Sequence, residues 1–189
     1  MKIFLYDVET TGLDSETNAM HQLSGKIIIN GQVKEDFNIH MKPFDGAIIS
    51  KAALNVSGVT EEQIMGYQNE DAAYKVLMVM LNKYVNRFDN RDKMYLCGYN
   101  VHRLDNQFLR ALFVRHNNRF FNSYFWSDSL DVMLLASPCL VDKRPYMANF
   151  KQMSVAKALG ITIDESRLHD ASYDIELSQQ IYDKVCGKY

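Results

Sequence analysis

The chain has little of what marks a secreted, membrane-spanning or disulfide-built protein. Its three cysteines, Cys97, Cys139 and Cys186, are odd in number and far apart. They form no CxxC or Cys/His cluster, so neither a disulfide framework nor a thiolate metal centre is expected, and reduced thiols in a cytoplasm are. No window approaches the length of apolar chain that a membrane span needs. The start, MKIFLYDVETTG, has a short apolar run that Asp7 and Glu9 interrupt. It lacks a signal-peptide core and cleavage site and reads as a mature N-terminal strand. Repeats, low-complexity tracts and an interdomain linker are also missing. The net charge of −2 shows no basic excess, which argues against a long duplex footprint.

What is present is ordinary in bulk. The 189 residues are 47% hydrophobic and 23% charged, enough for one domain, residues 1–189, with a full core. Lys2 to Val8 reads as a central strand, apolar on both faces. Lys26 to Asn30 is a β-branched run. Asn30-Gly31 is a hairpin turn signal, and Val33 to Met41 returns as a strand. Thr60-Glu61-Glu62-Gln63 reads as a capping box opening a short helix. Ala73, Val76, Leu77, Met80, Leu81 and Tyr84 form a helical apolar stripe. Met94 to Tyr99 reads as a buried strand, and Leu104, Phe108, Leu112 and Phe113 mark another amphipathic helix. Tyr124 to Asp128 is expected as a strand, followed by a helix through Val132 and Leu135. Ser137 to Asn149, with Pro138 and Pro145, reads as an exposed loop. A helix over Val155 to Leu159 ends at Gly160, and Ile175, Tyr182 and Val185 support a final helix. A strand and hairpin followed by helix–strand alternation predicts an α/β fold around a mixed sheet.

Three blocks carry chemistry: DVETTG at Asp7 to Gly12, NVHRLDNQFL at Asn100 to Leu109, and HDASYD at His169 to Asp174. Asp7 and Glu9 are two apart on a strand and share a face. They follow the apolar run at the strand's carboxyl end, where open α/β sheets place ligands. Alone, this Asp-x-Glu pair reads as an exposed strand end carrying two acids. Thr10-Thr11-Gly12 adds backbone N–H groups and a flexible glycine where a nucleotide could approach. Asp105 opens a helix, where an acid also suits the helix dipole. Asn100 could cap or turn. Asp170 is a candidate N-cap, which leaves His169 in the loop and Asp174 in the first helical turns. A helix N-terminus and nearby cations favour neutral imidazole, the form that accepts a proton, while carboxylates oppose it. Hard divalent cations take carboxylate oxygens, and a pair of them can clamp both oxygens of an in-line phosphodiester displacement. Two such cations would cancel the four negative charges and leave the remaining surface slightly basic.

Taken jointly, these blocks resemble a DnaQ-like 3′–5′ exonuclease of the DEDDh subfamily, in the ribonuclease H-like fold. The resemblance runs from Lys2 to about Val185 and includes ALNVSGVTEEQI, SDSLDVMLLA and SVAKALGI. It implies a central five-stranded mixed sheet flanked by helices. It implies that Asp7, Glu9, Asp105 and Asp174 bind two divalent cations, Mg²⁺ or Mn²⁺, and that His169 is the general base. It implies that the backbone around Thr10 and Thr11 meets the terminal nucleotide and that Leu13 packs against the last bases, with Asn100 also at the substrate. The spacing from Asn100 to Asp105 is similar to autonomous DNA-repair exonucleases and to oligoribonucleases, while DVETTG is closer to the proofreading type. The implied activity is metal-dependent hydrolysis of single-stranded DNA or RNA from the 3′ end, DNA favoured, releasing nucleoside 5′-monophosphates. The implied partners are 3′ ends and a polymerase or replication assembly, with no membrane. The alternatives are an oligoribonuclease or RNase T-like trimming enzyme, and a noncatalytic 3′-end-binding module of a polymerase assembly, which would have lost an acid or the histidine. A structural metal site without turnover would need no imidazole beside four acids. Arg103, Arg110, Arg115 and Arg119 read first as a solvated face and second as a phosphate-contacting one. Lys143 and Arg144 are placed on the loop to meet a strand.

Overall fold

The computed structural model describes residues 1–164, 167 and 171–187. Its centre is a five-stranded mixed sheet in the order β3-β2-β1-β4-β5. β1 (Lys2–Thr10), β2 (Met20–Ile29) and β3 (Gln32–His40) pair antiparallel, and β4 (Tyr95–Gly98) and β5 (Leu130–Asp131) continue parallel to β1. The β2–β3 turn is at Asn30-Gly31, with φ of 51° and 76°, the left-handed pair that this dipeptide adopts at low cost. β3 and the two-residue β5 are the edges of the sheet.

Side chains alternate along β1 and so build two cores. Phe4, Tyr6 and Val8 face α3 (Glu70–Tyr84) and α4 (Asp105–Arg115), among Leu77, Met80, Phe108, Leu112 and Phe113. Ile3 and Leu5 face α6 (Val132–Ala136), α7 (Gln152–Ala158) and α8 (Ala171–Cys186), among Val132, Val155, Ile175 and Ile181. Asp7 and Glu9 continue the row of Ile3 and Leu5, so their strand positions belong to the α8 face.

Local signals account for several boundaries. α2 (Glu61–Met65) has its capping box: Thr60 accepts from the Gln63 N–H and the Gln63 side chain accepts from the Thr60 N–H. Such a cap is worth about 1 kcal/mol. α3 starts at Asn69, whose side chain accepts from the Ala72 N–H. α7 is followed by Gly160 at φ 75°. α1 (Lys51–Ser57) ends at Gly58, φ 66°.

One expectation is corrected and two are extended. Tyr124 to Asp128 is not a strand. Phe121–Tyr124 is one helical turn (α5), and only an isolated bridge joins Met94 to Phe125. The aromatic residues that suggested a strand instead pack inward, Tyr124 against Phe113 and Phe125 against Phe113 and Phe4. The ladder resumes later and briefly at β5, because Asp131 there turns to cap α6. β2 begins at Met20, well before the β-branched run at Lys26. The loop Ser137 to Asn149 contains two 3₁₀ turns and buries Leu140. Among the described residues no helix is long and apolar enough to cross a membrane.

Candidate active site

The site lies at the carboxyl ends of β1, β4 and β5. Beyond Leu5↔Cys97, β4 no longer pairs with β1, so the N–H of Val8 needs another partner. Asp105 supplies it: Oδ1 accepts that N–H at 3.0 Å. Asp105, only 6% exposed, thereby clamps the first turn of α4 to the end of β1.

The turn that delivers Asp105 is itself ordered by a carboxylate. Gly98 ends β4, where a Cβ would collide with the Tyr6 carbonyl and the Val101 side chain. Asn100 follows at φ 61°. Asp131, 3% exposed, accepts the N–H groups of Asn100 (3.1 Å) and Met133 (3.0 Å) and lies 2.5 Å from Nδ1 of His102. Asp131 and His102 lie outside the expected set. The signal for Asp131 was its position just before VMLLA, an N-cap placement.

Glu9 is also held. Ser57 Oγ, at the end of α1, donates to Glu9 Oε2 at 2.5 Å. Asp7 pairs with Ser24 through the β1–β2 ladder, and its side chain forms no hydrogen bond or ion pair with another described residue. Asp174 lies in the first turn of α8, whose start is tied to α7 through Gln152 Nε2, which donates to the Asp174 carbonyl at 2.7 Å.

The electrostatics report crowding. Burial, then Asp105, Glu9 and Asp174, push the Asp7 carboxyl well above the usual carboxylate range. Burial pushes Asp105 up to about 7 despite the opposing Val8 hydrogen bond, with Glu9 and Asp131 adding to the rise. Tyr6, whose hydroxyl donates to Asn106 Oδ1 at 2.6 Å, is pushed up by burial and then by Asp105 and Asp7. Asp7, Glu9, Asp105 and Asp174 therefore share one electrostatic neighbourhood. They do not form a closed chelate: among the described residues no three His, Cys, Asp or Glu side chains are grouped to hold one ion. The donors are all oxygens, and neighbouring acids raise both Asp7 and Asp105. That combination fits hard divalent cations.

The expected substrate residues differ in availability. Thr11 is fully buried: its N–H donates to the Ala19 carbonyl at 2.8 Å and its hydroxyl to the Ile48 carbonyl at 2.8 Å. The Thr10 hydroxyl donates to the Gly12 carbonyl at 2.7 Å. Leu13 is 82% exposed. Asn100 is half-buried in its turn. His169 and Asp170 lie outside the described residues. Among the cations, Arg115 is taken up by Glu70, with nitrogen–oxygen distances of 2.8–3.2 Å, and Lys143 donates to the Ala158 carbonyl at 2.6 Å. Arg144 lies over the Phe150 ring at 4.5 Å.

Comparison with known proteins places these features in context. The family model described as "Exonuclease" (RNase_T) matches residues 4–182. Ribonuclease T of Photobacterium profundum is 25% identical over 201 residues, covering 97% of this chain and 81% of that protein. DNA polymerase III PolC-type of Mycoplasmopsis pulmonis is 25% identical over 179 residues, covering 94% of this chain but 11% of the polymerase. Exonuclease I of E. coli, solved in complex with a dT13 oligonucleotide, superposes with a TM-score of 0.75 at 21% identity, over 99% of this chain and 41% of that one. A zinc-bound form of its complex with single-stranded DNA superposes at 0.73 and 20% identity, over 97% of this chain and 40% of that one. The fold is thus shared with exonuclease I, and this chain spans less than half of it.

Proposed function

The chain belongs to the exonuclease family whose model matches residues 4–182, and from that premise we propose that it hydrolyses single-stranded nucleic acid from the 3′ end, releasing nucleoside 5′-monophosphates. The observation that carries the proposal is the set of carboxylates at the end of β1. Asp7 and Asp105 are both pushed upward by burial and by neighbouring acids. A fold gains nothing by crowding acids unless cations or protons occupy the site.

We assign Asp7, Glu9, Asp105 and Asp174 as the residues that would hold two Mg²⁺ or Mn²⁺ ions. When bound, such a pair supplies activation of water and stabilisation of the leaving 3′ oxygen. The chain's own groups do the rest. Asp105 fixes the start of α4 to β1, Ser57 orients Glu9, and Leu13 offers an apolar edge to the terminal base. Thr10, Thr11 and Asn100 shape the backbone that the terminal nucleotide meets. His169 takes the proton of the attacking water, which assigns the chain to the DEDDh subfamily.

DNA is the favoured substrate in this reading, supported by the likeness to a fold solved on dT13. RNA trimming is the second reading, favoured by the match to ribonuclease T over 81% of its length. The match to a PolC-type polymerase supports a replication or repair partner. The free thiols of Cys97, Cys139 and Cys186 support a reducing, cytoplasmic setting.

The test is degradation of 3′- and 5′-labelled DNA and RNA oligomers with Mg²⁺, Mn²⁺ or EDTA. Stepwise shortening of 5′-labelled strands, abolished by EDTA, is expected. Internal cleavage, or full activity in EDTA, would overturn the proposal.

A further inference from the structure

We propose that the exposed face of α4 is the track by which a single strand leaves the carboxylate site, and that the track ends in a clamp of Phe88, Arg87 and Phe120. The inference rests on the exonuclease reading and extends it to residues that the sequence motifs do not mark.

α4 begins at Asp105, inside the site, and its 11 residues carry it about 16 Å away. Gln107, Arg110 and Val114 lie on one face of this helix, and all three are exposed. With Ser15 and Glu16 they line a groove of about 520 Å³. Ser15 and Glu16 closely follow Leu13, so the groove opens beside the loop expected to meet the terminal bases. The Arg110 guanidinium lies 4.2 Å from the centre of the Phe121 ring, which keeps a cation along the groove.

At the far end of α4 the surface changes to exposed aromatic rings. Phe88 is 84% exposed and Phe120 is 54% exposed. The Arg87 guanidinium lies over both, 4.9 Å from the first ring and 5.0 Å from the second. Arg119 adjoins them and is exposed. Neither Arg87 nor Arg119 forms a salt bridge with a described carboxylate, whereas Arg115 nearby is taken up by Glu70.

Charge and stacking together select the occupant. An apolar partner covering Phe88 and Phe120 would also bury two cations without counter-ions, at high cost. A single strand offers π-faces to the rings and phosphates to the guanidinium groups in alternation. A duplex hides those π-faces.

The experiment compares a trinucleotide, too short to leave the site and reach the clamp, with a twenty-nucleotide strand. The double variant Phe88→Ala/Phe120→Ala removes two exposed rings, and circular dichroism and Tm check its fold. The ratio of kcat/KM on the long strand to that on the trinucleotide should fall about tenfold or more. In parallel, the affinity of a 5′-labelled twenty-mer is followed by anisotropy in Ca²⁺ across a salt series. Arg87→Gln should weaken it and flatten the log–log salt slope by about 0.7, the value of one phosphate contact on a single strand. An unchanged long-to-short ratio, or an unchanged affinity and slope, would overturn the track. If the native chain cleaves neither oligomer, the exonuclease reading fails, and the anisotropy series still decides whether the clamp holds a strand.

Discussion

Ser57 Oγ sits 2.5 Å from Glu9 Oε2, joining the last residue of α1 to a carboxylate on β1. This contact restrains the Glu9 carboxylate. Ser57→Ala should therefore leave the fold intact but lower cation affinity or turnover about 10–100-fold, the usual cost of losing an orienting partner. Isothermal titration with Mn²⁺, alongside initial rates, measures this. A variant with native affinity and native rate would show that Glu9 needs no such restraint.

The carboxylate cluster also sets a pH dependence. Asp105 is pushed up to about 7 from a usual value near 3.8. Between those values the folded chain binds more protons than the unfolded one, so this contribution to stability is complete below pH ~4 and is lost as pH rises through ~7. Asp105→Asn keeps an oxygen to accept the Val8 N–H and removes the charge. In EDTA its stability should decline less than that of the native chain across this window. Thermal melts at several pH values test it; parallel curves for the two proteins would refute the assignment.

Asp7→Ala should abolish turnover without loss of fold. Asp7 lies in the centre of the crowding, pushed upward first by burial and then by three acids, so removing it relieves repulsion. A soluble variant retaining native nuclease rates would end the proposed role. His169→Ala should keep cation and strand-end binding while single-turnover cleavage falls about 10²–10⁴-fold. A near-native rate would exclude it as the base, and a lost cation site would make it a ligand.

His21 gives a stability test away from the acids. It is fully buried, and neither ring nitrogen finds a hydrogen-bond partner among the described residues. Burial, then His40, pushes it down to about 4. Its neutral form is the folded one, so its contribution is present above pH ~6.5 and lost as pH falls through ~4, opposite in sign to that of Asp105. His21→Leu should raise unfolding free energy by about 1 kcal/mol, since an unsatisfied buried polar group is removed. Urea denaturation at neutral pH decides; a less stable variant would show that the ring is satisfied.

Much of this was legible in the sequence where a short-range rule applies. Asn30-Gly31, the Thr60 cap and the α3 helix are local, and each stands where it was read, though Val76 of the expected stripe faces outward. Asp7 and Glu9 share a face because strands have period two. The early half of β2 escaped notice because His21, Gln22, Ser24 and Gly25 have no strand signature; pairing with β1 across a bulge at Glu9/Thr10 makes it a strand. Tyr124 to Asp128 misled because aromatic residues suit a strand and a packed helical turn equally. The Ser57–Glu9 and Asp105–Val8 contacts join residues 48 and 97 positions apart, and no local pattern encodes either.

That spread along the chain has a consequence for biosynthesis. The three-strand meander needs only the first 40 residues, and it places Asp7 and Glu9 on β1 with little repulsion between elements to overcome. Asp105 arrives with α4, and Asp174 only with α8, the last of the described helices. Electrostatic strain thus accumulates late, once most of the apolar surface is already covered. Until α8 has docked, Asp7 meets fewer of the acids that crowd it, so its carboxyl is raised less in the partly folded chain than in the complete fold.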